Sequence, residues 1–258
     1  MADDVIISET PEAQAERAAA DFAALVADVL QRQDRMTVAL AGGQTPESFY
    51  ARLAKEPYKS SIPWAKVWIF WGDERCVPKD HPESNFRMAS EALLQYVPLN
   101  SAHVFRMRGE DPPPVAAREY EKILRETFGA AAVWPSFDII LLGLGTDGHT
   151  ASLIPGTPAL IEGDKWVVGN VVRSLQTVRI TLTMESINHA RHVWFLVTGA
   201  KKTAAFQRAR ERPDPACPAS LVKPEKGELR WYVDKEVVYG RREDPSVEAW
   251  PAARKRSS

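Results

Sequence analysis

The chain has 258 residues, 45% hydrophobic and 26% charged, with a formal net charge of −1, which fits one large α/β domain or two small ones. A charge so close to zero supplies no global field for nucleic acid or an anionic membrane, so an anionic ligand must be held by a local cluster of donors. Two cysteines, Cys76 and Cys217, with no CxxC spacing give no disulfide framework, and the longest strongly apolar stretch, IILLGLG, is far too short to span a bilayer.

In chain order, MADDVIISETPEAQAERA is acidic where a signal peptide would be basic, and it lacks an apolar core, so the expectation is a soluble cytoplasmic protein. Residues 11–33 carry apolar side chains at helical spacing, with Thr10 as N-cap and Pro11 in the first turn. TVALAGG (37–43) reads as a strand ending in glycines, followed by a helix with Thr45 as cap and Pro46 at its first position. VWIFWGDER (67–75) reads as a second strand closed by a polar cluster. Helical patterns recur near 84–96 and 115–128, with the PPP at 112–114 read as loop. FDIILLG (137–143), WVVGNVV (166–172), VRITLT (178–183) and HVWFLVTG (192–199) give strands three to six. The sixth runs into a helix, AKKTAAFQRARER, and the terminal ARKRSS reads as a solvated tail.

Uninterrupted apolar runs alternating with helices indicate strands covered on both faces. The predicted fold is α/β: a doubly wound, mostly parallel, Rossmann-like sheet with helices on both faces, in a single domain over 1–258.

In such a sheet, ligands bind beyond the carboxyl ends of the strands. Those ends read AGGQT, GDER, GLGTDGHTAS and TGAKK. Gly42 and Gly43 let backbone N–H groups approach an anion, Gln44 adds an amide, and Thr45-Pro46 opens a helix whose N-terminus attracts negative charge. The loop lacks the Lys-Ser/Thr of a Walker A motif. In GDER, Arg75 suits an anion or a carbonyl oxygen and Asp73 a sugar hydroxyl.

GLGTDG has the spacing of a dinucleotide-binding turn, but three features weigh against NAD. The next strand ends in valines rather than an acid, Pro155-Gly156 interrupts the following helix, and His149 immediately follows the last glycine. That histidine, two residues from Asp147, suits general-base work near neutral pH, the carboxylate fixing the imidazole tautomer. His81, His103, His189 and His192 lie in loops or beside strands. The close pair His189 and His192 shows no third ligand, so no metal is expected.

AGGQTP, WGDERCVPKDHPESNFRMA, GLGTDGHTASLIPG, RITLT, TGAKK and the late WYVD, in that order, resemble the 6-phosphogluconolactonase family over essentially the whole chain. Glucosamine-6-phosphate deaminases are similar in fold but read DEY and AFNEPG where this chain reads DER and ASLIPG. The resemblance implies hydrolysis of 6-phosphogluconolactone, a small phosphorylated sugar lactone of the oxidative pentose phosphate pathway, without metal or other cofactor. It implies His149 as the base that activates water, Asp147 as its orienting partner, Gly42, Gly43, Thr45 and Lys202 facing the phosphate, and Arg75 and Arg179 in the site. Two departures stand out: Ala41 and Gln44 replace a Ser-Gly-Gly-Ser type of loop, and RSLQTV replaces a proline-rich stretch bearing a lysine. A deaminase, a non-catalytic sugar-phosphate sensor and a dinucleotide oxidoreductase are the rival readings. Monomer and homodimer stay equally open.

Overall fold

The computed structural model of the protein describes residues 4–172 and 176–240. The start of RSLQTV and the ARKRSS tail lie outside the described residues.

Among the described residues nine strands and eight α-helices follow one another. After β1 (Asp4–Ser8), α1 (Pro11–Leu30) begins as its sequence dictates: the Thr10 side chain accepts from the Ala13 N–H and Pro11 occupies the first turn. Ala15, Ala18, Ala19, Phe22, Val26 and Val29 recur at helical spacing and are buried along one stripe. β2 (Met36–Leu40), buried at every position, leads into α2 (Gln44–Leu53). Thr45 does not cap that helix; Gly43 precedes it at φ +102°, and the Thr45 hydroxyl bonds that of Thr198 at 2.8 Å. After α3 (Tyr58–Ser61) come β3 (Val67–Trp71), β4 (Asp73–Arg75) and α4 (Asn85–Ala89), which continues into a π turn at Ser90–Leu94. α5 (Pro113–Phe128) starts on the prolines read as loop, where the missing proline N–H costs a helix nothing. The rest are β5 (Ile139–Leu142), β6 (Val167–Val172), β7 (Thr177–Leu182), α6 (Met184–Asn188), β8 (His192–Val197), α7 (Thr203–Glu211), β9 (Glu228–Asp234) and α8 (Lys235–Tyr239).

The main sheet has six strands in the order β1-β9-β8-β5-β2-β3, and every pairing is parallel. β1 and β9 were not anticipated, and two predicted members are missing. VWIFWGDER is not one strand: β3 belongs to the parallel sheet, and beyond Gly72 the chain becomes β4 of a second sheet, β4-β7-β6, wholly antiparallel. The fourth and fifth predicted strands are β6 and β7 of this small sheet. Four residues separate Val172 from Thr177, room for a hairpin and not for a parallel crossover. The alternation of exposed Gly169 and Val171 with buried Val168, Asn170 and Val172 is likewise the pattern of a sheet wet on one face.

Both sheets share one contiguous core, in which Trp64, Trp71, Trp166, Trp194 and Trp231 are fully buried. Phe195 and Trp231 stack at 3.8 Å between centroids, tying β8 to β9. Among the described residues no helix is long and apolar enough to cross a membrane.

The strand ends need separate provision where the ladder stops. The buried Tyr50 hydroxyl accepts from the Ala41 N–H and donates to the Ala41 carbonyl, both at 2.9 Å, just beyond β2. The Tyr120 hydroxyl does the same for Trp71 at the end of β3, at 2.8 and 3.1 Å. Tyr50→Phe leaves two buried backbone groups unpaired, at a cost of about 1–3 kcal/mol for each. A thermal melt several degrees below the parent is the expected result, and an unchanged Tm would refute the assignment.

Candidate active site

β3 lies on one side of β2, whereas β5, β8, β9 and β1 follow outward on the other, so the winding reverses between β2 and β5. At such a switch point the loops leaving adjacent strands diverge and open a crevice. Here a cavity of about 290 Å³ occupies it. Gly42, Gly43, Gln44 and Thr45 line it from the end of β2, Asp73 and Arg75 from β4, and Arg179 from β7. His149 enters from the loop after β5 and Lys202 from beyond β8. All the sequence-predicted residues therefore meet around one space except Asp147, which stands behind His149.

The Asp147–His149 joint is direct. His149 Nδ1 lies 2.6 Å from Asp147 Oδ1, and the His149 backbone N–H donates to the same oxygen at 3.1 Å. Burial works to raise the Asp147 carboxyl, but the hydrogen bonds and charge of His149 outweigh it and hold it below the usual carboxylate range. With Nδ1 committed to a carboxylate, Nε2 is the nitrogen left to take a proton. The Gly145 N–H donates to the His149 carbonyl at 2.8 Å, closing the loop into a tight turn, and Gly148 sits at φ +90° against Cys217. Ala151, at φ +47°, then turns the chain so that Ser152 faces inward, a conformation costing a non-glycine residue roughly 1–2 kcal/mol.

At the β2 end, no side chain caps α2, and its first residues line the cavity together with Lys202. Partial burial pulls the Lys202 ammonium below the ordinary lysine range, with the Asp147 charge opposing. Arg75 and Arg179, which also line the cavity, are directly paired in the β4–β7 ladder. Arg179 is shifted downward by burial and by the adjacent Arg75 charge. The Nε atom of each is buried without a partner. Two desolvated guanidinium donors side by side are costly unless an anionic oxygen completes them.

Sequence reading overlooked Asn85 and Ser152, both buried and both bonded to Asp73. It also treated Glu74 as part of the polar cluster. Glu74 is instead a buried anchor, accepting the backbone N–H groups of Arg75, Asn85 and Phe86 at 2.7–2.8 Å. Burial raises its carboxyl against those bonds.

Away from the cavity, His189 and His192 do not pair. His192 faces Glu228, and His189 lies between Glu185 and Glu225, the one group among the described residues with three closely set potential metal ligands.

The model of the family described as glucosamine-6-phosphate isomerases/6-phosphogluconolactonase matches residues 9–231. A 6-phosphogluconolactonase of Synechocystis sp. is 42% identical over 226 residues, covering 86% of this chain and 91% of that one. One from Nostoc sp. is 40% identical over 210 residues, covering 80% and 84%. The solved 6-phosphogluconolactonase from Trypanosoma cruzi superposes with a TM-score of 0.81 at 29% identity, covering 93% of this chain and 97% of that one.

Proposed function

The chain belongs to the glucosamine-6-phosphate isomerase/6-phosphogluconolactonase family, and within it we propose that this protein hydrolyses 6-phosphogluconolactone to 6-phosphogluconate, the lactone-opening step of the oxidative pentose phosphate pathway. The observation that carries this reading is the carboxylate-oriented imidazole at a cavity that Arg75, Arg179 and Lys202 also line. The strand end DER and the loop ASLIPG favour the lactonase over the deaminase branch. The chain acts as one domain, a reading supported by the single core of the described residues.

In the proposed mechanism the phosphate rests on Gly42, Gly43, Gln44, Thr45 and Lys202, and the lactone carbonyl points toward Arg75 and Arg179. His149 Nε2 takes a proton from water as the water oxygen bonds to the carbonyl carbon. The guanidinium pair holds the oxyanion that develops. Collapse of the tetrahedral intermediate breaks the bond to the ring oxygen, which leaves with the proton returned by His149. Asp73 accepts from a ring hydroxyl. No metal or cofactor enters any step. Binding energy from the remote phosphate goes into orientation.

The direct test follows proton release from freshly generated 6-phosphogluconolactone, with glucosamine 6-phosphate as the competing substrate. Rapid lactone opening and no ammonia release are expected; the reverse pattern would overturn the reading.

Lys202→Ala should lower kcat/KM for the phosphorylated lactone by about ten- to a hundredfold, the loss of one charged hydrogen bond, and leave unphosphorylated gluconolactone unaffected. An equal loss on both substrates would make Lys202 structural. Only the ammonium binds phosphate, and its titration is shifted downward. KM should therefore rise on the alkaline side at a pH below that of an ordinary lysine, and Lys202→Arg should remove that limb.

A further inference from the structure

Asp73 is 6% exposed, and none of the ion pairs found among the described residues involves its carboxylate. Two neutral donors hold it instead. The Ser152 hydroxyl donates to Oδ2 at 2.6 Å, and the Asn85 amide donates to Oδ1 at 3.3 Å and to the Asp73 carbonyl at 2.9 Å.

Each donor is itself fixed. The Ser152 N–H donates to Thr181 Oγ1 at 3.2 Å, and its carbonyl accepts from Asn170 Nδ2 at 2.9 Å. The Asn85 N–H is bound by Glu74 at 2.7 Å, and its amide oxygen lies so close to Gly42 that a Cβ there would sit 2.0 Å away. Ser152 belongs to the loop that carries His149, and Asn85 touches the loop assigned to the phosphate. Asp73 is thus keyed to both ends of the cavity.

We propose that Ser152 and Asn85 are positioning residues that aim the Asp73 carboxylate at a hydroxyl of the lactone ring. This rests on the lactonase reading. A carboxylate oxygen accepts about two hydrogen bonds, and each Asp73 oxygen spends one on its holder. One acceptor direction per oxygen is left, and Asp73 lines the cavity. Its hydrogen-bonded holders are neutral, and the Arg179 charge acts on it only from a distance, so a substrate O–H still forms a charge-assisted bond. A cation in their place would have consumed that charge.

The test is a double-mutant cycle on kcat/KM for 6-phosphogluconolactone, with Tm measured for every variant. Ser152→Ala and Asn85→Ala should each cost roughly ten- to a hundredfold, the range for a reacting partner displaced by about 1 Å. In an Asp73→Asn background, where the charged acceptor is gone, adding Ser152→Ala should cost less than about twofold. A general brace of the fold would give losses that multiply in that background, and that result would overturn the proposal. So would a folded Ser152→Ala enzyme with parental kcat/KM. Should Ser152→Ala fail to fold, the cycle with Asn85→Ala decides by the same criterion. A parent enzyme that does not open the lactone would instead refute the lactonase reading itself.

Discussion

His149→Ala lowers kcat by about 10² to 10⁴, the contribution of one general base, and leaves KM near its parental value. The expectation follows from geometry. The imidazole is anchored at Nδ1 by Asp147 at 2.6 Å, faces the cavity, and is only partly buried, so its removal takes little from the core. Asp147→Asn costs less, because it disturbs the tautomer and leaves the base in place. The informative control is His149→Asn, which can still bond to the loop but cannot carry a proton. Both His149 variants should melt close to the parent. A folded His149→Asn enzyme with near-normal turnover would reduce the residue to a loop brace.

Gly145→Ala is expected to lower kcat by about 10² or more with little change in melting temperature. A Cβ at this position would lie 2.2 Å from His149 Nδ1 and 2.5 Å from Asp147 Oδ1. The methyl would occupy the hydrogen bond itself. The backbone at Gly145 lies outside the left-handed region, so space is its only obstacle. Gly148→Ala is a different experiment, since φ +90° and the Cys217 backbone at 3.0 Å both oppose it and stability falls as well. Gly163→Ala, with open space and an ordinary backbone, is the neutral control. Parental turnover in a folded Gly145→Ala enzyme would sever the link between this glycine and the base.

These glycines show why the local pattern misleads. Gly143, Gly145 and Gly148 match a dinucleotide turn in spacing, yet Gly145 makes room for His149 and Gly148 fits above Cys217. His149 was legible because it follows the last glycine, where a cofactor turn has no use for an imidazole. The strand ends were legible because apolar runs stop abruptly at polar clusters. The second sheet was obscured because Gly72 interrupts VWIFWGDER by a single residue, and a change of sheet leaves no mark in composition. β1 and β9 pair with each other at the sheet edge, a long-range partnership that their short sequences do not announce. Asn85 and Ser152 went unnoticed because their role lies in what they grip, and the residue they grip is distant in sequence from Ser152 in particular.

That single glycine also fixes a dimension. The Gly72 N–H is bonded to the Leu40 carbonyl of the parallel sheet at 2.9 Å, and its carbonyl accepts from Leu182 of the antiparallel one at 2.8 Å. In the proposed mechanism the phosphate rests on the loop that leaves the first sheet and the carbonyl points to the arginine pair of the second, so the backbone bonds of Gly72 tie the two sites together. The cavity is therefore a ruler. On the proposed roles, a molecule is measured by whether its phosphate and its carbonyl reach both marks at once, and a shorter phosphorylated lactone seated at one would be expected to fall short of the other.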